Sequence, residues 1–545
     1  MDRDEMERQG FPLTPPDVRT ASSAARIHER RRVSAAPPEL AALHERAAIL
    51  ADLGHIHSLL FWDQNTMMPP DGAAARGDQA ATLEAVAHER LSDPELGRLL
   101  DALAPWTDGE DPDADDVRLV HELRRDFEKA VRVPTSLAAE ASRAAALGQA
   151  AWQEARAAAD FSRFRDALER QVELRQRYVD CFTGFEHRYD VLLDDFEPRM
   201  TTARLRLLFG ELSEGLVPLV AAVASDARAP AGGPFGGPHE VEHQRRAVMD
   251  ILEGLGFDPD GWRLDVAPHP FAQRIGPGDV RITTRYDLHD FSGALYGCLH
   301  EFGHGLYEAG ISERLARTPL GSPVSLGVHE SQSRLWENLV GRGRPFCAWM
   351  LPRLREQLPA MRDTTVDGLH RGVNAVHRSL IRVEADETTY NLHIVLRFEL
   401  ELALMEGSLA VADLPHTWNE GVHRLLGLDV PDDAAGVLQD VHWGAGLIGY
   451  FPTYTLGNLM AAQLWETIRA ELPELDGQIE GGEFGPLRAW LRERVHVHGR
   501  KLPPPELLDR VTGQELAVQP FLSYLHAKHA DATKTDGRSD PGSDR

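Results

Sequence analysis

FSGALYGCLHEFGHGLYE, residues 291–308, sets Phe291, Leu295, Cys298 and Phe302 at helical spacing, with Asp290 able to cap the start and Gly310 able to end it. Inside this helical pattern stands His300-Glu301-Phe302-Gly303-His304, an H-E-x-x-H sequence. Positions i and i+4 lie on one face of a helix, so the two imidazoles can converge on one divalent ion. Glu301, one residue along, then projects beside the ion toward a water molecule. Cys298 lies two residues before His300 and points to the other side of the helix, which reads as core packing. With 24 histidines in the chain, a chance occurrence has a probability on the order of one in ten. The plain competitor is a surface helix with two solvated histidines.

A catalytic zinc or cobalt site usually takes three protein ligands and keeps a position for water. The segment Val328 to Asn338 (VHESQSRLWEN) offers the third. It opens a second helical pattern after the turn LGSPVSLG, with Trp336 and Leu339 able to pack inward. Glu330 stands 30 residues beyond His300, a spacing that suits two adjacent helices donating to one metal. The plain reading of Glu330 is an acidic residue in a first helical turn, favoured there by the macrodipole.

Outward from these segments the chain is rich in Ala, Leu, Glu and Arg at helical spacing, as in residues 38–63 and 135–168, so a mainly α fold is expected. The exception is GPGDVRITTRYD at 276–287, where Val280, Ile282 and Thr284 alternate with polar residues. It reads as one short strand, whose exposed edge could take an extended peptide by β-addition with Arg281 pointing toward it. The alternative for Arg281 is an exposed charge that discourages edge aggregation. The Gly/Pro-rich run at 229–240 is the best internal loop. Residues 1–38 lack apolar periodicity and end in a basic cluster, and 530–545 are rich in Gly, Ser and Asp; both read as disordered extensions flanking a helical domain at 39–529.

A chain of 545 residues can bury a large core. Acidic residues outnumber basic ones by 85 to 58, a net charge of −27, which repels phosphate backbones and anionic lipid. Nucleic acid and membrane are therefore not expected partners. Three scattered cysteines, Cys181, Cys298 and Cys347, cannot build a disulfide framework, and the N-terminus has no apolar signal segment, so a cytoplasmic location is expected.

Several further segments join the two metal segments: WDQNTMMPPDGA from Trp62, HPF at His269, DVRIT at Asp279, IRVEAD at Ile381, GVLQDVHW at Gly436 and GYFPTYTLGN from Gly449. Together with HEFGH and HESQSRLWEN, they resemble the carboxypeptidase Taq family of metallocarboxypeptidases over roughly residues 40–529. The resemblance implies an elongated helical fold with a deep groove, of neurolysin-like architecture, usually dimeric. The implied activity is release of C-terminal residues from peptides that carry a free C-terminus. It implies His300, His304 and Glu330 as ligands of one divalent ion, zinc or alternatively cobalt, with Glu301 as general base.

His442 and Tyr450 are implied as donors to the developing oxyanion, with Tyr454 a weaker alternative. Arg382 is the candidate for the terminal carboxylate, which a guanidinium matches as a planar fork; its bland alternative is an ion pair with Glu384 or Asp386. His269 either lines or braces the same pocket. The Trp62 segment could cover the groove, though a structural cap is the simpler reading. Two competing functions stand beside this one. One is an oligopeptidase cutting internal bonds, and the other is a non-catalytic helical binding protein with a vestigial metal site.

Overall fold

Helix α1 (Pro38–Thr66) opens the ordered part of the chain in a computed structural model that describes residues 36–224 and 233–530. The expected extension at 1–38 and tail at 530–545 fall almost wholly outside the described residues. So do residues 229–232 of the expected loop; its next residues, Gly233–Phe235, form a 3-10 turn. From Pro38 onward the described residues pack as one unit around a contiguous apolar core.

The expectation of a single strand is corrected: three strands form one sheet in the order β1-β3-β2. Strand β1 (Trp262–Val266) runs parallel to β3 (Asp279–Thr284), and β2 (Ala272–Gly276) runs antiparallel to it with an irregularity between Arg274 and Gly276. Val280, Ile282 and Thr284 are buried as their alternation implies. The expected open edge on DVRIT is not there, because β3 is the central strand and its backbone groups are spent on both neighbours. Trp62, near the end of α1, is buried and donates its indole N–H to Asp265 Oδ2 at 3.2 Å. The guanidiniums of Arg263 and Arg281 lie 4.8 and 4.2 Å from its ring centroid. Trp62 therefore caps the sheet.

Behind the sheet lies helix α2 (Phe291–Gly310), started by Asp290 Oδ1 accepting from Ser292 N at 2.8 Å. Phe291, Leu295, Cys298 and Phe302 are all buried. Gly310 does not terminate the helix with a left-handed cap; it is the last helical residue, and Ile311 leaves in an extended conformation. Helix α3 (Leu326–Arg334) is capped by Ser325 and runs into a π-helical turn over Leu335–Val340, with Trp336 and Leu339 buried. Helix α4 (Glu387–Glu406) starts at Asp386, whose Oδ1 accepts from Thr388 N and Thr389 N. Helix α5 (Pro452–Glu471) has proline at its first position, where no backbone N–H is needed.

Two glycines let three of these helices approach. A Cβ on Gly303 of α2 would lie 2.5 Å from Gln332 O of α3, and one on Gly457 of α5 would lie 2.6 Å from the side-chain carbons of Glu330. Helix α3 is thus held between α2 and α5 with Glu330 at the contact.

Candidate metal and catalytic centre

The pairing of α2 with α3 brings three donors together. His300 Nε2 and His304 Nε2 stand 3.1 Å apart, and Glu330 Oε2 lies 3.6 Å from each. Tetrahedral coordination with metal–ligand bonds of roughly 2.0–2.1 Å puts neighbouring donors about 3.3 Å apart. The triangle therefore fits one small divalent ion, and among the described residues it is the one cluster of three or more such donors. The donor set of two imidazoles and a carboxylate leaves room for water and substrate.

Each donor is oriented from behind. His300 Nδ1 lies 2.9 Å from Glu337 Oε2, and His304 Nδ1 lies 3.1 Å from the carbonyl of His329, so both rings turn their Nε2 toward the centre. Arg334 ties the carboxylates together, donating from Nε to Glu330 Oε1 at 2.7 Å and from Nη1 to Glu337 Oε2 at 3.1 Å. His329 is not a donor to the centre; it stacks on His304 at 4.0 Å and reaches Glu308 Oε1 at 2.9 Å. Burial holds His304 neutral, well below its ordinary value, with His329 and His300 adding to the effect. For Glu337, the pull of Arg334 and His300 outweighs burial and keeps the carboxyl far below the usual range.

Glu301 is buried beside this triangle. Burial pushes its carboxyl up to about 7, opposed by His300 and reinforced by Glu330. Glu301 stands one residue from His300, beside the donor triangle, where a carboxyl can take and return a proton.

A second cluster gathers at the start of α5, around His442, Tyr450 and Tyr454. His442 Nε2 is 3.3 Å from the Tyr454 hydroxyl, the Tyr450 and Tyr454 rings pack edge-on with centroids 5.4 Å apart, and both tyrosines feel the charge of Glu330. Burial drives His442 down to about 4, so its ring is neutral. Its Nδ1 is buried without a hydrogen-bond partner, 3.9 Å from Asp440 Oδ1. Tyr454 touches both His442 and Tyr450.

Arg382 is buried here, but its partner is neither Glu384 nor Asp386. It donates from Nε and Nη2 to Asp440 Oδ1 at 3.0 and 2.7 Å and from Nη1 to the Tyr390 hydroxyl at 2.9 Å. Asp440 is shared with Arg397, whose Nε and Nη2 reach Oδ2 at 2.8 and 2.5 Å. Arg281 does not join the cluster; Asp279 holds it at 2.8 Å and Trp62 lies under it. It is only partly exposed, so it is not the solvated edge charge either. His269 is exposed in the bend before β2 and bonds nothing among the described residues. Asp440, Arg334, Glu337 and Arg397 were not singled out from sequence. Arg334 and Glu337 follow Glu330 at i+4 and i+7, so helical spacing alone could have found them.

The carboxypeptidase Taq (M32) metallopeptidase family profile matches residues 42–529. The chain is 43% identical over 505 residues to thermostable carboxypeptidase 1 of Thermus thermophilus, spanning 91% of this chain and 98% of that one. It is 38% identical to carboxypeptidase 1 of Bacillus subtilis, over 87% and 94% of the two chains. Among solved structures, the M32 carboxypeptidase of Deinococcus radiodurans R1 superposes with a TM-score of 0.88 at 41% identity, covering 91% of this chain and all of that one (100%). A Pyrococcus furiosus carboxypeptidase gives 0.87 at 36% identity, over 91% and 99%. With donors for a divalent metal beside a buried carboxyl, the chain belongs to the carboxypeptidase Taq (M32) family and is a metal-dependent carboxypeptidase, a peptide hydrolase.

Proposed function

We propose that the chain releases the C-terminal residue of peptides using one zinc ion held by His300, His304 and Glu330, with cobalt as the alternative ion. The 3.1, 3.6 and 3.6 Å triangle beside buried Glu301 carries this reading. When bound, the ion supplies Lewis acidity that acidifies water and polarises the scissile carbonyl. Glu301 takes the proton from the attacking water and delivers it to the leaving amine. Neutral His442 and the hydroxyls of Tyr450 and Tyr454 offer donors to the oxygen on which negative charge develops.

Arg382 receives the terminal carboxylate. Two guanidiniums share the single charge of Asp440, so the cluster keeps an excess positive charge that an incoming carboxylate neutralises. The catalytic unit is residues 39–529. The chain works in the cytoplasm, in keeping with three free thiols, and forms the homodimer that the family resemblance implies; light scattering at twice 60.4 kDa checks the latter.

The deciding experiment replaces Glu301 with Gln. Metal content measured by atomic absorption stays near one per chain, while kcat falls by about 10²–10⁴-fold. Loss of metal together with folding would place Glu301 in the structure instead. Efficient internal cleavage of C-terminally amidated peptides by the unmodified enzyme would count against the exopeptidase reading.

A further inference from the structure

Glu330 can meet the two imidazoles only if α3 keeps its axial position against α2. The start of α3 is held by a turn far away in sequence. Glu197 is completely buried; its Oε2 accepts from Gly327 N at 2.9 Å and its Oε1 from Ser325 Oγ at 3.1 Å. The preceding residue, Phe196, accepts on its carbonyl from Leu326 N at 3.0 Å, and Ser325 Oγ accepts from Val328 N at 3.0 Å. The free N–H groups that open a helix are thus consumed by this turn and the cap.

The turn itself is stiff. Arg199 sits in the left-handed region at φ 69°, its N–H bonded to Asp194 Oδ1 at 3.3 Å. Asp194 is pinned by Lys129 at 2.7 Å and Arg125 at 2.8 Å. Phe196 also packs edge-on against Tyr450, with ring centroids 5.2 Å apart. One turn therefore touches both the helix carrying Glu330 and a tyrosine of the second cluster.

Glu197 is an expensive residue for a filler. Burial pushes its carboxyl up to about 8 against the two hydrogen bonds that favour the charged form, and among the described residues no cation pairs with it. An apolar side chain would fill the space at lower cost but could not aim at two donors. From Gly327 to Glu330 is about 4.5 Å of rigid helix, so an axial slip at the start reaches the ligand undiminished. Metal–ligand distances tolerate only about 0.2 Å.

We propose that Glu197 is a positioning residue of the metal centre: by bolting the start of α3 to the turn at residues 194–200, it sets Glu330 against His300 and His304. This rests on the ligand assignment above. The test measures the zinc dissociation constant of metal-free protein by competition with a chromophoric chelator, alongside thermal midpoints without metal. Glu197→Ala raises the constant about 10- to 100-fold. Glu197→Gln keeps the shape and one acceptor, and stays within about threefold of the unmodified protein.

Glu387→Ala is the control. That carboxylate bonds the Tyr524 hydroxyl at 3.1 Å and Lys528 Nζ at 2.5 Å, and neither partner lies on α3 or in the turn at 194–200, so its loss lowers the thermal midpoint and leaves zinc binding unchanged. Unchanged zinc binding in Glu197→Ala overturns the proposal, as does equal weakening in Glu387→Ala. Should Glu197→Ala not fold, Gly327→Ala decides by the same criterion, because its Cβ would lie 2.4 Å from Glu197 Oε2. Glu330→Ala, run in parallel, separates the two readings: if it too binds zinc normally, the ligand assignment falls and this inference with it.

Discussion

Asp440 neutralises half of the charge it faces, since both Arg382 and Arg397 bond it in the interior. Removing its charge by Asp440→Asn leaves two buried guanidiniums without a counter-ion, and breaking a buried pair in this way costs about 3–5 kcal/mol. The expected result is a clear fall in the thermal midpoint; a change of less than a degree would mean that the arginines find other partners. Arg382→Ala tests the clamp. A charge-assisted contact contributes roughly 1.5–3 kcal/mol, so turnover of free-acid peptides should fall about ten- to a hundredfold with metal still bound. Amidated peptides, poor substrates from the outset, should lose little more. If free-acid turnover survives, the carboxylate is bound elsewhere, and Arg397 on the other oxygen of Asp440 becomes the residue to replace. The Arg382 motif was legible in sequence, but its counter-ion was not, because Asp440 lies 58 residues on.

At the scale of elements, the site depends on how closely α3 approaches α5. Gly457→Ala would put a methyl 2.6 Å from Glu330. Overpacking of this kind costs about 1–3 kcal/mol, and here it also displaces a ligand. The variant should lose stability and zinc affinity together. Gly77→Ala supplies the contrast: nothing lies within 4 Å of its Cβ in the helix Ala73–Leu91, so relief of helical glycine should stabilise by about 0.5–1 kcal/mol. If Gly457→Ala behaves like Gly77→Ala in a chelator-free melt, the close approach does not constrain the site. The helices were legible because their buried faces repeat at the helical period. Strands β1 and β2 were not, because β1 buries Asp265 and exposes Val266, and β2 buries Arg274. Polar residues satisfied inside the fold erase the alternation that marked β3.

For the whole molecule, the deeply buried histidines set a pH dependence. His393 and His496, both fully interior, are pushed down to about 3, first by burial and then by Arg397 and Arg492 respectively. In the unfolded chain they bind protons below about 6.5, and in the native state they do not until about 3. The unfolded state thus gains protons as pH falls, so their effect is a loss of stability that grows from pH 6.5 toward 3 and is absent above 6.5. Thermal midpoints of metal-free protein at pH 7.5, 6 and 4.5 should drop progressively. His496→Gln, which removes one titrating group beside Gln332, should flatten that slope, and an identical slope would exclude His496 as a source. Charge at the surface acts differently. The net −27 is screened by salt over about 8 Å at physiological ionic strength, whereas these interior groups are not.

The helical order and strand β3 were determined by the sequence alone. Periodicity marks which residues share a helical face, so His300 and His304 read as pointing together, and the segment holding Glu330 read as a helix. The recurrence of chemistry-bearing residues in eight segments also carried the family. Only the tertiary structure decided which groups stand behind those residues: Glu337 on His300, Arg334 across two carboxylates, Asp440 between two arginines, and Glu197 at the start of α3. The reason is physical. A helix repeats over 3.6 residues, and that repeat is written into neighbouring positions. A buried carboxylate is satisfied by whichever donor packing brings within about 3 Å, and no spacing along the chain records which donor that is.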